Sequence, residues 1–195
     1  MKNLVVFASG SGSNFQSIID AISDEKLDAN IVGFISNKES AFAVERAKKN
    51  NIPVFIISPS AFDKEKEYSS LILEKLKSWN AQVLILAGYV KKIPGEVIST
   101  FKNNILNIHP SLLPKYGGKG FYGLKVHEAV IENKEIETGC TVHIVTEEYD
   151  KGPILGQSIV EVLPTDTPDS LAKKVLEKEH ELFPLVIKKH LQTQN

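Results

Sequence analysis

The sequence predicts an α/β fold: one Rossmann-like domain, residues 1–195, with an open, mostly parallel sheet and helices on both faces. Three observations carry that expectation. Short β-branched runs alternate with longer stretches of helical period. Those runs are apolar at successive positions, as strands covered on both sides require. A glycine-rich turn follows the first run and precedes the first helical stretch, where doubly wound folds place a ligand loop.

Element by element, the strand candidates are LVVFA (4–8), IVGFIS (31–36), VFIIS (54–58), VLILAGY (83–89) and ILNIH (105–109). Helices are predicted near 15–26, 39–50, 63–79 and 94–102. The third shows the period best, with Tyr68, Leu71, Ile72, Lys75, Leu76 and Trp79 recurring every three or four residues. Beyond residue 120 the pattern changes: a helix near 124–134, strands TVHIVT (141–146) and ILGQSIVEV (154–162), then a long helix from Asp169 to Leu191. Asp166 and Thr167 supply start signals for it, and Pro184 is expected to kink or divide it. No repeat, low-complexity tract or linker marks a second domain.

Composition narrows the function classes. A formal net charge of −1, with both signs dispersed, gives no general attraction to nucleic acid. The single cysteine, Cys140, excludes an intramolecular disulfide and a cysteine-based zinc cluster. The first apolar run is too short for a signal-peptide core, and no window reaches the ~18 apolar residues that span a bilayer. These features read as a cytoplasmic protein with small-molecule partners, no nucleic acid and no membrane.

ASGSGSNF places Gly10 and Gly12 in tight turns, with Ser11, Ser13 and Asn14 beside the free N–H groups of a helix start. A dinucleotide fingerprint needs a third glycine where this chain has Phe15, and an acid after the second strand where it reads SNK. A Walker loop needs Gly-Lys-Ser/Thr. The loop therefore suits a simple phosphate group better than NAD or ATP, and a turn that only connects strand to helix is the other reading.

The chemistry concentrates in NILNIHPSLLPKYGGKG, residues 104–120. Alternation along a strand sends Asn107 and His109 to one face, at the carboxyl end of the fifth strand. In the usual winding order, the glycine loop and AGYVKK open onto the same cleft. Pro110 holds His109 extended, which predicts an imidazole at a rim and not within a core. Pro114 admits a cis bond after Leu113. Gly117, Gly118, Gly120 and Gly123 suit a segment that closes over ligands. Asp150, on the turn after a later strand, is the candidate carboxylate for His109. Its approach is expected to raise the imidazole pKa, so that Asn107 and protonated His109 donate to an oxygen that becomes negative during acyl transfer. His127 and His143 read as structural. His109, His127, His143 and Asp150 form no helical metal-ligand pair, so no metal is expected.

FASGSGSNFQSIIDAI, ISNKESAFAVERAKK, LAGYVKKIP, LNIHPSLLPKYGGKGFYGLKVHEAV, TGCTVHIVTEEYDKGPILGQ and EKEHELFPLVI, in this order, closely resemble the folate-dependent formyltransferases, in particular phosphoribosylglycinamide formyltransferases. The resemblance implies a formyltransferase fold. It also implies transfer of a formyl group from 10-formyltetrahydrofolate to the amine of 5'-phosphoribosylglycinamide in purine biosynthesis. By the same resemblance Asn107, His109 and Asp150 match the catalytic trio. Gly12, Ser13, Asn14, Pro110 and Glu179 match the ribonucleotide site. Val90, Lys91, Lys92 and Ile93, together with Asn107, Thr146, Glu147, Glu148, Tyr149 and Asp150, match the folate site. The family includes dimers, so a homodimer is admitted, although no interface is legible. Lys91 stands where relatives often carry arginine, Leu176 where some carry a polar residue, and Glu65 near a basic position of some members. Formyltetrahydrofolate deformylase, methionyl-tRNA formyltransferase and a non-catalytic phosphometabolite sensor are the alternative readings.

Overall fold

The structure is a computed structural model and describes residues 1–193. The chain forms two compact units, Met1–Leu106 and Asn107–Asn195.

The first unit alternates strand and helix: β1 (Lys2–Phe7), α1 (Ser13–Ser23), β2 (Ala29–Ser36), α2 (Phe42–Lys49), β3 (Val54–Ile56), α3 (Glu65–Ser78), β4 (Val83–Leu86) and α4 (Gly95–Thr100). The strands lie in the order β3-β2-β1-β4, and each of the three pairs is parallel. The neighbouring β1 and β4 are thus the pair that the winding order predicts. Residues of β1 and β4 are buried in unbroken runs, because a parallel strand covered on both faces has no solvent side. Phe15 of α1 stacks on Phe34 of β2, with ring centroids 4.8 Å apart. Each fully buried aromatic contributes about 1.5–3 kcal/mol. At Gly33 the β1–β2 register slips, and the Trp79 ring lies where a side chain at 33 would stand, so only glycine fits.

The second unit contains most of β5 (Ile105–His109), then α5 (Leu124–Glu132), β6 (Glu137–Ile144), β7 (Ile154–Glu161) and α6 (Pro168–Gln192). Strand order here is β5-β6-β7, and the last pair is antiparallel. Val130, Cys140, Val160, Leu171 and Val175 form its core. Seven strands among the described residues thus build the mostly parallel α/β fold that the sequence predicts.

Most differences from the predicted elements lie at their ends. Strand β4 stops at Leu86 and not at Tyr89, because Gly88 turns the backbone with φ 82. The start of α6 is a capping box: Thr167 accepts from the Ser170 N–H, and Ser170 accepts from the Thr167 N–H. Pro184 does not divide α6, which is continuous. The lost hydrogen bond and ring clash cost about 3 kcal/mol. Burial of Phe183, Val186, Ile187 and Leu191 around it offsets that.

Candidate active site

In the second unit, β5 and β6 present alternate side chains at their carboxyl ends, and four polar groups meet there. His109 Nδ1 lies 3.6 Å from Asp150 Oδ2, and His143 Nε2 lies 3.4 Å from Asp150 Oδ1. The Asn107 amide nitrogen is 3.0 Å from His143 Nε2. The convergence of Asn107, His109 and Asp150, expected from sequence, is therefore present, and His143 joins it.

The partners assign the ring protons. A backbone carbonyl only accepts, so His143 Nδ1 donates to Ile144 O at 2.9 Å and His109 Nε2 donates to Tyr116 O at 2.8 Å. In the neutral ring His143 Nε2 carries a lone pair and accepts from Asn107, whereas a proton on Nε2 would be donated to Asp150 Oδ1 at 3.4 Å. The contact with Asn107 fixes which end of its amide faces the ring, and it leaves the second amide N–H to donate elsewhere.

Asp150 sits in the left-handed region with φ 54, a conformation that Asp adopts more readily than most residues. Its carboxylate accepts the Gly118 N–H at 2.8 Å. Gly117 lies against it, where an added Cβ would come within 2.5 Å of Leu113 and 3.2 Å of the Asp150 Cβ. The Leu113–Pro114 peptide is cis, as the sequence admitted. Thr141 on β6 holds the segment before it, bonding both the Ser111 carbonyl and the Leu113 N–H.

Two expectations about His109 need correction. The ring is 5 % exposed, buried and not at a rim, because Tyr116 and Asp150 close over it. Its pKa is lowered, not raised: burial depresses it more than Asp150 and the Tyr116 carbonyl lift it. For Asp150, burial pushes the pKa up, but His143, His109 and the Gly118 N–H outweigh it and the carboxyl stays below its ordinary range. His127, on α5, is buried with no partner for Nδ1, and burial, with His109 nearby, brings it down to about 4.

The other matched residues fall as follows. Pro110 is half-buried beside His109. Thr146, half-buried, donates to the Glu148 carbonyl, while Glu147, Glu148 and Tyr149 are exposed on the β6–β7 turn. Glu179 is 6 % exposed on α6, and its carboxylate, after burial, helps push the Cys140 thiol up to about 12.

In the first unit Gly12 caps α1 in the left-handed conformation, φ 70, and a Cβ there would meet Ala43 at 2.6 Å. The loop is braced from α2: Ala43 N–H donates to Gly10 O, and Arg46 Nε donates to Ser11 O. Ser13 and Asn14 begin the helix, half-buried and buried. In the segment after β4, Val90, Lys91 and Lys92 are exposed and Ile93 is buried. Among the described residues, no three His, Cys, Asp or Glu side chains gather as a metal site, and no helix is long and apolar enough to cross a membrane.

His143 is the residue that sequence reasoning missed. Strand parity carried the signal: Thr141 and His143 occupy one face of β6, where His143 reaches Asn107 on β5 and Thr141 reaches Ser111 in the segment that follows it.

The profile described as "Formyl transferase" matches residues 2–187. The chain is 44 % identical over 187 residues to the chloroplastic phosphoribosylglycinamide formyltransferase of Arabidopsis thaliana, covering 95 % of this chain and 64 % of the plant protein. It covers 60 % of the Vigna unguiculata relative. With the Escherichia coli (strain K12) phosphoribosylglycinamide formyltransferase it shares 38 % identity over 185 residues, 95 % of this chain and 85 % of that one. A solved phosphoribosylglycinamide formyltransferase from Bacillus Halodurans superposes with a TM-score of 0.93 at 32 % identity, covering 100 % and 97 % of the two chains. A glycinamide ribonucleotide transformylase from Geobacillus kaustophilus gives 0.90 at 37 %, covering 97 % and 98 %.

Proposed function

The chain belongs to the formyl transferase family, and from that premise we propose that it transfers the formyl group of 10-formyltetrahydrofolate to the amine of 5'-phosphoribosylglycinamide, in purine biosynthesis. The observation that carries this reading is the meeting of Asn107, His109 and Asp150 in one cluster around His143. Support also comes from the names of relatives that are similar over nearly the whole chain.

The reaction assigned is direct. The substrate amine attacks the formyl carbon, the new C–N bond forms as the bond to the folate nitrogen breaks, and one proton passes from the amine to that nitrogen. Asn107 donates its remaining amide N–H to the formyl oxygen as it gains charge. Preorganised donors of this kind contribute roughly 3–4 kcal/mol each. His109 adds its Nε2–H once the Tyr116 carbonyl withdraws. Asp150, held ionised and paired with His109, takes the amine proton through water and passes it on to the departing folate nitrogen. No formyl-enzyme intermediate is required.

Gly12, Ser13 and Asn14 are assigned to the substrate phosphate, where helix-start N–H groups favour an anion. Pro110 and Glu179 complete the ribonucleotide contacts. Val90–Ile93 and Thr146–Asp150 are assigned to the folate, largely through backbone groups. The chain is assigned small-molecule partners and a cytoplasmic location.

The test is an assay of purified protein with 10-formyltetrahydrofolate and 5'-phosphoribosylglycinamide, following the deformylated folate. Loss of formyl that requires the amine supports transfer. Formate release without it indicates a deformylase, and ligand binding without turnover indicates a sensor.

A further inference from the structure

Three strand ends of the first unit are joined by side chains where the backbone ladder stops. Strands β1 and β4 continue their pairing past Phe7: Ala87 N–H donates to Phe7 O at 2.9 Å, and Ser9 N–H donates to Gly88 O at 3.1 Å. Gly88 then turns the chain away with φ 82. Beyond that turn the Val90 N–H donates to Ser9 Oγ at 3.1 Å. Having accepted from a backbone N–H, the Ser9 hydroxyl donates its own proton to Asn37 Oδ1 at 2.5 Å. Asn37 directly follows β2, and its turn is pinned by Ser36, which accepts the Lys38 N–H and donates to the Lys38 carbonyl. Ser9 and Asn37 are both buried. The relay Val90 to Ser9 to Asn37 thus crosses β4, β1 and β2.

We propose that Ser9 and Asn37 are positioning residues shared by two substrate-binding segments: the phosphate loop, which begins at Gly10, and the folate segment Val90–Ile93. The proposal rests on the assignment of those segments above. One hydroxyl fixes the origin of both. The loop leaves directly from Ser9, and the folate segment starts at the N–H that Ser9 holds. A buried hydroxyl with a single donor and a matched acceptor on each side sets direction as well as distance. Val90 is 51 % exposed, so no core contact replaces the hydrogen bond if the hydroxyl is removed. The SNK motif, which lacks the acid of a dinucleotide site, has a task here: its asparagine closes the relay.

The test compares Ser9→Ala, Ser9→Thr and Asn37→Ala in the full chain by steady-state kinetics and by amide hydrogen exchange at Val90. With Ser9→Ala, Val90 is expected to exchange about tenfold faster, and KM for both substrates to rise about fivefold, with turnover at saturation within about twofold of the parent. Asn37→Ala is expected to shift both KM values the same way, and Ser9→Thr to restore both. Unchanged exchange at Val90 would refute the relay. Faster exchange with both KM values unaltered, or a loss confined to turnover, would refute the positioning role. If the parent protein turns over neither substrate, the assigned reaction fails, and exchange at Val90 still decides the relay.

Discussion

The Asn107 amide nitrogen and His143 Nε2 stand 3.0 Å apart, on strands whose residues here are 36 positions distant in sequence. The same imidazole is anchored through Nδ1 to the Ile144 carbonyl, so its lone pair has one direction, and the amide that meets it has one orientation. His143 therefore sets the donor that Asn107 presents.

His143→Ala is expected to lower turnover about a hundredfold, the scale of a misplaced catalytic group, while each KM moves less than about threefold. Steady-state kinetics on both substrates check this. Turnover equal to the parent's would remove His143 from the account.

Asn107→Ala deletes the amide donor itself. Turnover is expected to fall about a hundredfold to a thousandfold, with circular dichroism and Tm near those of the parent. A change confined to KM would assign Asn107 to ground-state binding instead.

Gly12→Ala places a Cβ against Ala43 at 2.6 Å and on a backbone with φ 70. A cost of about 1–3 kcal/mol is expected in chemical denaturation, with weaker ribonucleotide binding and little change for folate. Equal stability would mean that the loop relaxes without penalty.

Acid should destabilise the fold through two buried imidazoles. His109 and His127 have pKa values below that of a free histidine, so the unfolded chain binds more protons than the folded one as pH falls through about 6.5. Stability from these groups is present above that pH and is lost progressively toward pH 4. His127→Leu removes one of them and is expected to flatten the decline of Tm between pH 6.5 and 4. An unchanged slope would show that His127 titrates normally.

Much of this was legible in sequence because the physical signals are local. ILNIH gave β5 with its bounds, since β-branched residues on both faces suit nothing else there. Asn107 and His109 shared a face by strand parity alone. Thr167 and Asp166 marked the start of α6. What escaped depended on contacts between distant segments. The burial of His109 comes from Tyr116 and Asp150 closing on it, and no property of the residues adjoining His109 specifies that. Its lowered pKa follows from the same enclosure. His143 looked like an ordinary core histidine because its significance lies in the Asn107 amide. Pro184 read as a kink or a division, and the division did not follow because a single sequence does not show how much apolar surface lies on either side of it.

The central claim is that Asp150, paired with His109, drives formyl transfer. Its most direct test is the turnover of Asp150→Asn from pH 6 to 9 with both substrates saturating, alongside the parent. The account predicts a fall of at least about a hundredfold at every pH, with both KM values nearly preserved. Turnover matching the parent across that range would contradict it.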